Sequence, residues 1–477
     1  MPSPTRIEFG DWQTPDNLAA EVVAHVLARL RFTPRTILEP TCGKGAFLVA
    51  AKYLLPEANL AGYEINPDYV AIAASRLKRG NHALRQADFF AVDWEREIRN
   101  LPGPVLVVGN PPWVTSAGLG AIGSENVPQK QNFKKLSGLD ARTGKSNFDV
   151  SEWMILRLVQ ALAGREATLA MLCKSAVARR VVEWSAKQNR QISPGGIWRI
   201  DAERHFKAAV DAVLFVCHVG PLPKECSSKW PVFGSFAAEV SESSFGLADG
   251  ELVADLDAYH RSRALVGTSN PEWRSGIKHD CSDVMELSSR GDTWTNGLGE
   301  TVDIEPDYRY PLLKSSDIAN GRIHSQRMVI VPQRMLGEDT RALERSAPKL
   351  WAYLNRHAEK LGERKSSIYK GRPPFAIFGV GDYSFAPWKV AISGLYKRLR
   401  FSILGPADGR PVMVDDTCYF LPFSKEEDAR KAARALESDL ARDFFRGRVF
   451  WDAKRPISKA ILQKLDLARL PAILDGA

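Results

Sequence analysis

No two cysteines in this chain are spaced as Cys-x-x-Cys. The six, Cys42, Cys173, Cys217, Cys226, Cys281 and Cys418, are scattered through 477 residues. That argues against a zinc ribbon and against a secreted disulfide framework. His279 and Cys281 lie two apart with no second pair nearby, so no metal site is expected. No apolar run reaches the roughly 18 residues that span a bilayer. The opening Met1-Pro2-Ser3-Pro4-Thr5-Arg6 lacks the apolar core of a signal peptide. The expected compartment is the cytoplasm. There is no internal repeat and no low-complexity tract.

What is present is the composition of a soluble globular protein, 44% hydrophobic and 25% charged. The length exceeds one ordinary hydrophobic core and predicts two domains. The formal net charge of +9 and a pI near 9.1 suit a polyanionic partner, because neutralised phosphates release counterions. Charge alone leaves a solvated basic surface as the simpler reading.

Residues 1–220 alternate short apolar runs with amphipathic stretches. The runs are Thr36 to Leu38, Leu60 to Tyr63, Val105 to Val108, Thr168 to Leu172 and Val213 to Val216. Runs of this kind are buried parallel strands, covered on both faces. Leu18 to Leu30 and Phe148 to Leu162 carry helical periodicity. Thr14-Pro15 offers the first helix a capping hydroxyl and a proline at its first position. The alternation predicts a doubly wound α/β, Rossmann-like sheet. The pattern breaks at Pro221-Leu222-Pro223. From 221 to 477 aromatics interleave with basic residues, and the tail from Lys425 to Leu470 is helical in pattern, which suggests an α+β domain.

The chemistry concentrates in the first part. Glu39-Pro40-Thr41-Cys42-Gly43-Lys44-Gly45-Ala46-Phe47 runs a strand into a Gly-x-Gly turn with a helix beginning at Gly45. Glycines let backbone approach a ligand, and a helix start offers free N–H groups. The third glycine of a dinucleotide fingerprint is missing, which argues against NAD. Glu64, followed by Ile65, ends the next strand about 20 residues later, where a carboxylate can accept from ribose hydroxyls. Asp88-Phe89 ends a third candidate strand and could read and cover an adenine. Asn110-Pro111-Pro112-Trp113 follows the run 105–108 and Gly109. Two prolines stiffen such a turn, so the Asn110 amide oxygen and the Pro111 carbonyl can be aimed together at an exocyclic NH₂, with Trp113 as a stacking plane.

In their order, Gln13-Thr14-Pro15, Glu39 to Phe47, Glu64, Asp88-Phe89 and Asn110 to Trp113, these segments resemble the gamma-class, Taq-type N6-adenine DNA methyltransferases of restriction-modification and related defence systems. Trp113 stands where tyrosine is commoner. The resemblance implies S-adenosyl-L-methionine as cofactor, held by Thr14, Glu39, Pro40, Thr41, Cys42, Gly43, Gly45, Glu64, Ile65, Asp88, Phe89 and Asn110. It implies catalysis by Asn110, Pro111, Pro112 and Trp113 on a flipped-out adenine of double-stranded DNA. Phe206, in His205 to Val213, matches the aromatic that sandwiches the base against Trp113, although a core aromatic explains it equally well. It further implies a C-terminal target-recognition domain, supported more loosely by Tyr310 to Ile318. A separate restriction endonuclease or defence proteins would be further partners, and the chain itself a monomer. Basic residues proposed to touch DNA are Lys130, Lys134, Lys135, Arg142 and Lys145 in a glycine-rich stretch after the motif. Gln333, Arg334, Arg364, Lys365, Arg372 and Lys389 are the corresponding candidates of the second domain.

Other methyltransferases share Asn-Pro-Pro-aromatic because each target is a planar NH₂. N4-cytosine in DNA, an RNA base and a protein glutamine are the alternatives. A fused nuclease would need Pro306-Asp307 and Glu363-Arg364-Lys365 as its metal site, a weak match.

Overall fold

The computed structural model describes residues 13–78, 80–114, 149–188, 192–208, 210–220, 228–291 and 293–470. It divides into two compact units, Met1–Leu256 and Asp257–Ala477.

The first unit is built on one twisted sheet. Its strands are β1 (Thr36–Glu39), β2 (Asn59–Glu64), β3 (His82–Gln86), β4 (Val105–Gly109), β5 (Ala167–Lys174), β6 (Ile192–Ile200), β7 (Ala212–Val219), β8 (Trp230–Phe233), β9 (Ser243–Ala248) and β10 (Glu251–Val253). The central order is β3-β2-β1-β4-β5-β7-β6. Strands β1 to β5 pair in parallel, while β7 runs antiparallel to both neighbours, β5 and β6. That reversed strand separates the fold from the plain dinucleotide-binding order. The sheet is Rossmann-like, as the alternation predicts, but Val213 to Val216, read as a parallel strand, lies in the antiparallel β7. Strands β1, β4, β5 and β7 are almost wholly buried, which is why they read as continuous apolar runs.

The helices that matter for the site are α1 (Asp16–Leu27), α2 (Ala46–Leu54), α3 (Pro67–Leu77), α4 (Trp94–Asn100), α5 (Val150–Ala161), α6 (Ser175–Lys187) and α7 (Ala202–Phe206). Leu18, Val22, Val23 and Val26 of α1 pack with Phe47, Leu48 and Ala51 of α2 over the sheet. The start of α1 departs from expectation. Pro15 occupies the N-cap position and no side chain caps the helix. The Thr14 hydroxyl has another partner, described below.

Pro221 does not end the sheet. Strand β8 adds in parallel to β6, and β9 and β10 follow antiparallel. Trp230 and Phe245 bury their rings along this extension, with Trp230 stacked on Phe215 of β7. The first unit therefore closes after Leu256, beyond the break in periodicity at residue 221.

The second unit holds a five-stranded sheet and a four-stranded sheet. The latter includes Trp388–Ser393 between Ser402–Leu404 and Cys418–Phe423. Helices Glu426–Glu437, Asp439–Arg448 and Lys459–Gln463 realise the helical tail. No helix among the described residues is long and apolar enough to cross a membrane.

Candidate active site

Strand order reverses between β1 and β4, and open α/β sheets hold ligands beyond the carboxyl ends of the strands at such a point. Both signature turns leave the sheet there. Glu39 ends β1 and leads into the glycine turn; Gly109 ends β4 and leads into Asn110.

The glycine turn is held from several sides. Gly43 and Gly45 have φ of +49° and +76°, which L side chains rarely adopt. A Cβ on Gly43 would lie 2.6 Å from Gln13 Oε1. Glu64 accepts from Gly43 N at 2.8 Å and from Asn66 N at 2.9 Å. Gln13 Oε1 accepts from Lys44 N at 3.1 Å, and Arg76 donates to the Lys44 carbonyl at 2.8 Å. Gln13 belongs to the Gln13-Thr14-Pro15 segment of the motif series, but its bond to the glycine turn is not legible in the sequence.

Inside this frame, Glu39 is 3% exposed. Among the described residues, its Oε2 and Thr41 Oγ1 are buried polar atoms with no hydrogen-bond partner. Burial pushes the Glu39 carboxyl well above the usual carboxylate range, and the Glu64 charge adds to that. Burial likewise raises the Cys42 thiol, so Cys42 is neutral packing rather than a nucleophile. Orphaned buried polar atoms beside a glycine turn that leaves no room for side chains are what a polar ligand would satisfy. The donor set fits S-adenosylmethionine. Ile65 and Asp88 are exposed at the same strand ends. Asp88 Oδ1 accepts from Phe90 N at 2.9 Å. Phe89 is buried, its ring centroid 4.8 Å from that of Trp94. Its ring is therefore already engaged in core packing.

At the second turn, Asn110 Nδ2 donates to Thr14 Oγ1 at 3.3 Å. The segment Gln13-Thr14 thus fastens both turns, one residue to each. Pro111 is buried and Pro112 half-buried. Trp113 is 8% exposed, and its indole N–H donates to the Leu172 carbonyl at 3.2 Å. Phe206, at the end of α7, is 4% exposed and meets Trp113 edge to face, centroids 5.1 Å apart at 70°. The structure brings the two rings together, but a base between them needs parallel planes about 7 Å apart, twice the contact distance of carbon atoms. The rings touch one another here, within the core of the unit.

The basic residues fare unequally. Lys130, Lys134, Lys135, Arg142 and Lys145 lie outside the described residues. Arg334 and Arg372 are exposed, Arg334 lying over the Phe385 ring at 4.2 Å. Arg364 spends its guanidinium on the carbonyls of Leu361 and Ala376 and on the Tyr369 ring. Gln333 is 2% exposed and closes a two-way clamp on the Ile377 backbone. Lys389 is 1% exposed, its ammonium donating to Ala386 O at 2.7 Å. Gln333 and Lys389 are therefore buried structural residues of this unit, while Arg364 is half-buried with its guanidinium engaged within the unit. Among the described residues no three His, Cys, Asp or Glu side chains gather as metal ligands.

No family model matches the chain. It is 44% identical over 479 residues to the type II methyltransferase M.NspV of a Nostoc species, covering 98% of both chains. A second type II methyltransferase, M.CvrRI of a Paramecium bursaria Chlorella virus, is 31% identical over 84 residues, 18% of this chain and 20% of that one. Among solved structures, the type IIL restriction-modification enzyme MmeI in complex with DNA superposes with a TM-score of 0.53 at 15% identity. The match covers 94% of this chain and 63% of that longer one. The near full-length match to M.NspV, joined to the reversed seventh strand and the glycine turn, shows that the chain belongs to the S-adenosylmethionine-dependent type II DNA methyltransferases of restriction-modification systems.

Proposed function

We propose that this enzyme methylates the N6 amine of an adenine turned out of double-stranded DNA. The observation that carries the reading is the Asn110 to Trp113 turn, fixed at the switch point of the sheet by Thr14 and by Leu172. The relative M.NspV, a type II methyltransferase, is matched over 98% of its length, and MmeI was solved in complex with DNA.

S-adenosylmethionine, when bound, supplies an electrophilic methyl group on a sulfonium sulfur. Glu39, Thr41 and the glycine turn bind it, with Glu64 and Asp88 at the strand ends. The Asn110 amide oxygen and the Pro111 carbonyl accept the two N–H bonds of the target amine, which orients its lone pair. Unstacking the adenine costs a few kcal/mol. Trp113 and Phe206 offset part of this when their rings part to receive the base. Most of the acceleration comes from holding two reactants in line and from fixed dipoles facing the developing charge. Arg334 and Arg372 are proposed phosphate contacts of the second unit.

The test is transfer of labelled methyl from S-adenosylmethionine to unmethylated genomic DNA, RNA and total protein, followed by nucleoside analysis. N6-methyladenine in DNA is expected. Label on cytosine N4, or on RNA or protein alone, would overturn the substrate assignment.

Gln13→Ala offers a second test. It frees Lys44 N–H and loosens the turn without touching the core, so cofactor affinity should fall about tenfold, the worth of one well-placed hydrogen bond. Titration calorimetry with S-adenosylmethionine measures it; an unchanged Kd would show that the turn needs no such support.

A further inference from the structure

The Asn110 to Trp113 turn is held on its far side by an ion pair that no signature motif contains. Lys174, the last residue of β5, donates to the Trp113 carbonyl at 3.1 Å. The same ammonium meets Asp149 Oδ2 at 2.6 Å, and the Asp149 side chain is only 3% exposed. Asp149 is itself fixed as the N-cap of α5, its Oδ1 accepting from Ser151 N and Oγ. Leu172, two residues earlier on β5, accepts from the Trp113 indole. The end of β5 therefore grips Trp113 by both backbone and ring, and the backbone grip is charged.

We infer that Lys174 is a positioning residue for the methyl-acceptor turn, and that Asp149 is there to neutralise it. The inference rests on the proposed role of Asn110 to Trp113. Two physical arguments support it. First, a charge-assisted hydrogen bond is shorter and stiffer than a neutral one. It fixes the carbonyl of the residue that follows the two prolines, and so the aim of the acceptors at Asn110 and Pro111. Second, methyl transfer to an amine moves positive charge onto the acceptor nitrogen. A bare ammonium near the turn would oppose that, whereas a lysine paired with a buried carboxylate gives orientation without net charge.

Removing Lys174 alone would strand the buried Asp149 carboxylate and destabilise the fold. The decisive variant is therefore Lys174→Met with Asp149→Asn. It removes both charges and keeps an oxygen to cap Ser151. Turnover is measured on saturating unmethylated genomic DNA, alongside cofactor affinity and thermal midpoint. The double variant should hold its midpoint within a few degrees and its cofactor Kd within about twofold. Its kcat should fall about 10²-fold, the usual consequence of ångström-scale misplacement. Lys174→Arg, which keeps the charge and a donor, should recover most of that loss. Wild-type kcat in the double variant would overturn the inference. So would a fall in kcat matched by an equal fall in cofactor affinity or by a collapsed midpoint, since the pair would then be merely structural. The methylated base is identified in the same samples. Label on cytosine N4 would overturn the adenine assignment and leave the Lys174 result standing, because the turn must hold either amine.

Discussion

Asn110→Ala should lower turnover on DNA by about 10³-fold, the scale seen when one fixed dipole facing a reacting centre is deleted, and leave S-adenosylmethionine binding nearly intact. The reasoning starts from the turn. Alanine removes the amide but keeps Pro111 and Pro112, so the backbone path stays stiff. The Trp113 ring and carbonyl remain tied to Leu172 and Lys174. What disappears is an acceptor for one N–H of the target amine and the donor to Thr14. Cofactor contacts at Glu39, Thr41 and the glycine turn are untouched, so affinity should change by no more than a few-fold. Asn110→Asp retains an oxygen acceptor, and the Thr14 hydroxyl can donate to it, so its loss should be smaller. Single-turnover methyl transfer, which separates chemistry from product release, checks both. Turnover near wild type in Asn110→Ala would remove the basis for placing the acceptor amine at this turn.

The parts of the site that were legible share one property: each is a contiguous run whose backbone does the work. Gly43 and Gly45 announce a positive-φ turn, and Asn110 to Trp113 announces a stiff one. Glu64 stands at the strand end expected of it and turns out also to hold the Gly43 amide. What was not legible depends on tertiary juxtaposition. Lys174 and Trp113 are 61 residues apart and meet because β5 lies beside β4. Gln13 acts through a turn 31 residues away. Strands β8 to β10 were missed because they follow Pro221 and are only partly apolar, yet pairing with β6 makes them one sheet with the rest. The basic residues of the second unit erred the other way. Lys389 reads as surface charge because most lysines are exposed, yet it is buried. Burial of a cation cannot be seen in a sequence that lacks its future neighbours.

Lys389→Met should stabilise the second unit at neutral pH and leave DNA binding alone. Lys389 lies on an inner strand of the four-stranded sheet, where Val390 to Ser393 are buried as well. Its ammonium has one hydrogen bond, to Ala386 O, and lies 5.6 Å from the centre of the Phe420 ring. Burial pushes its pKa down to about 7. The folded form thus resists the proton that the unfolded chain keeps up to about pH 10.4. Between those values the unfolded state binds more protons, so stability rises with pH across roughly 7 to 10. Below pH 7 the penalty is present in full. It is on the order of 4 kcal/mol from the size of the shift, less about 1 kcal/mol for the hydrogen bond that methionine gives up. In a unit of this size, a net gain of about 3 kcal/mol raises the melting transition by about 5–10 °C. Scanning calorimetry of the full chain at pH 7 and pH 10 should show the rise at pH 7 and its near disappearance at pH 10. Binding to genomic DNA as a function of salt separates this from a phosphate contact. A buried lysine neutralises no phosphate, so the slope of log K against log salt should not change. A flat melting profile together with a slope reduced by about one would return Lys389 to the DNA-facing surface and refute its burial.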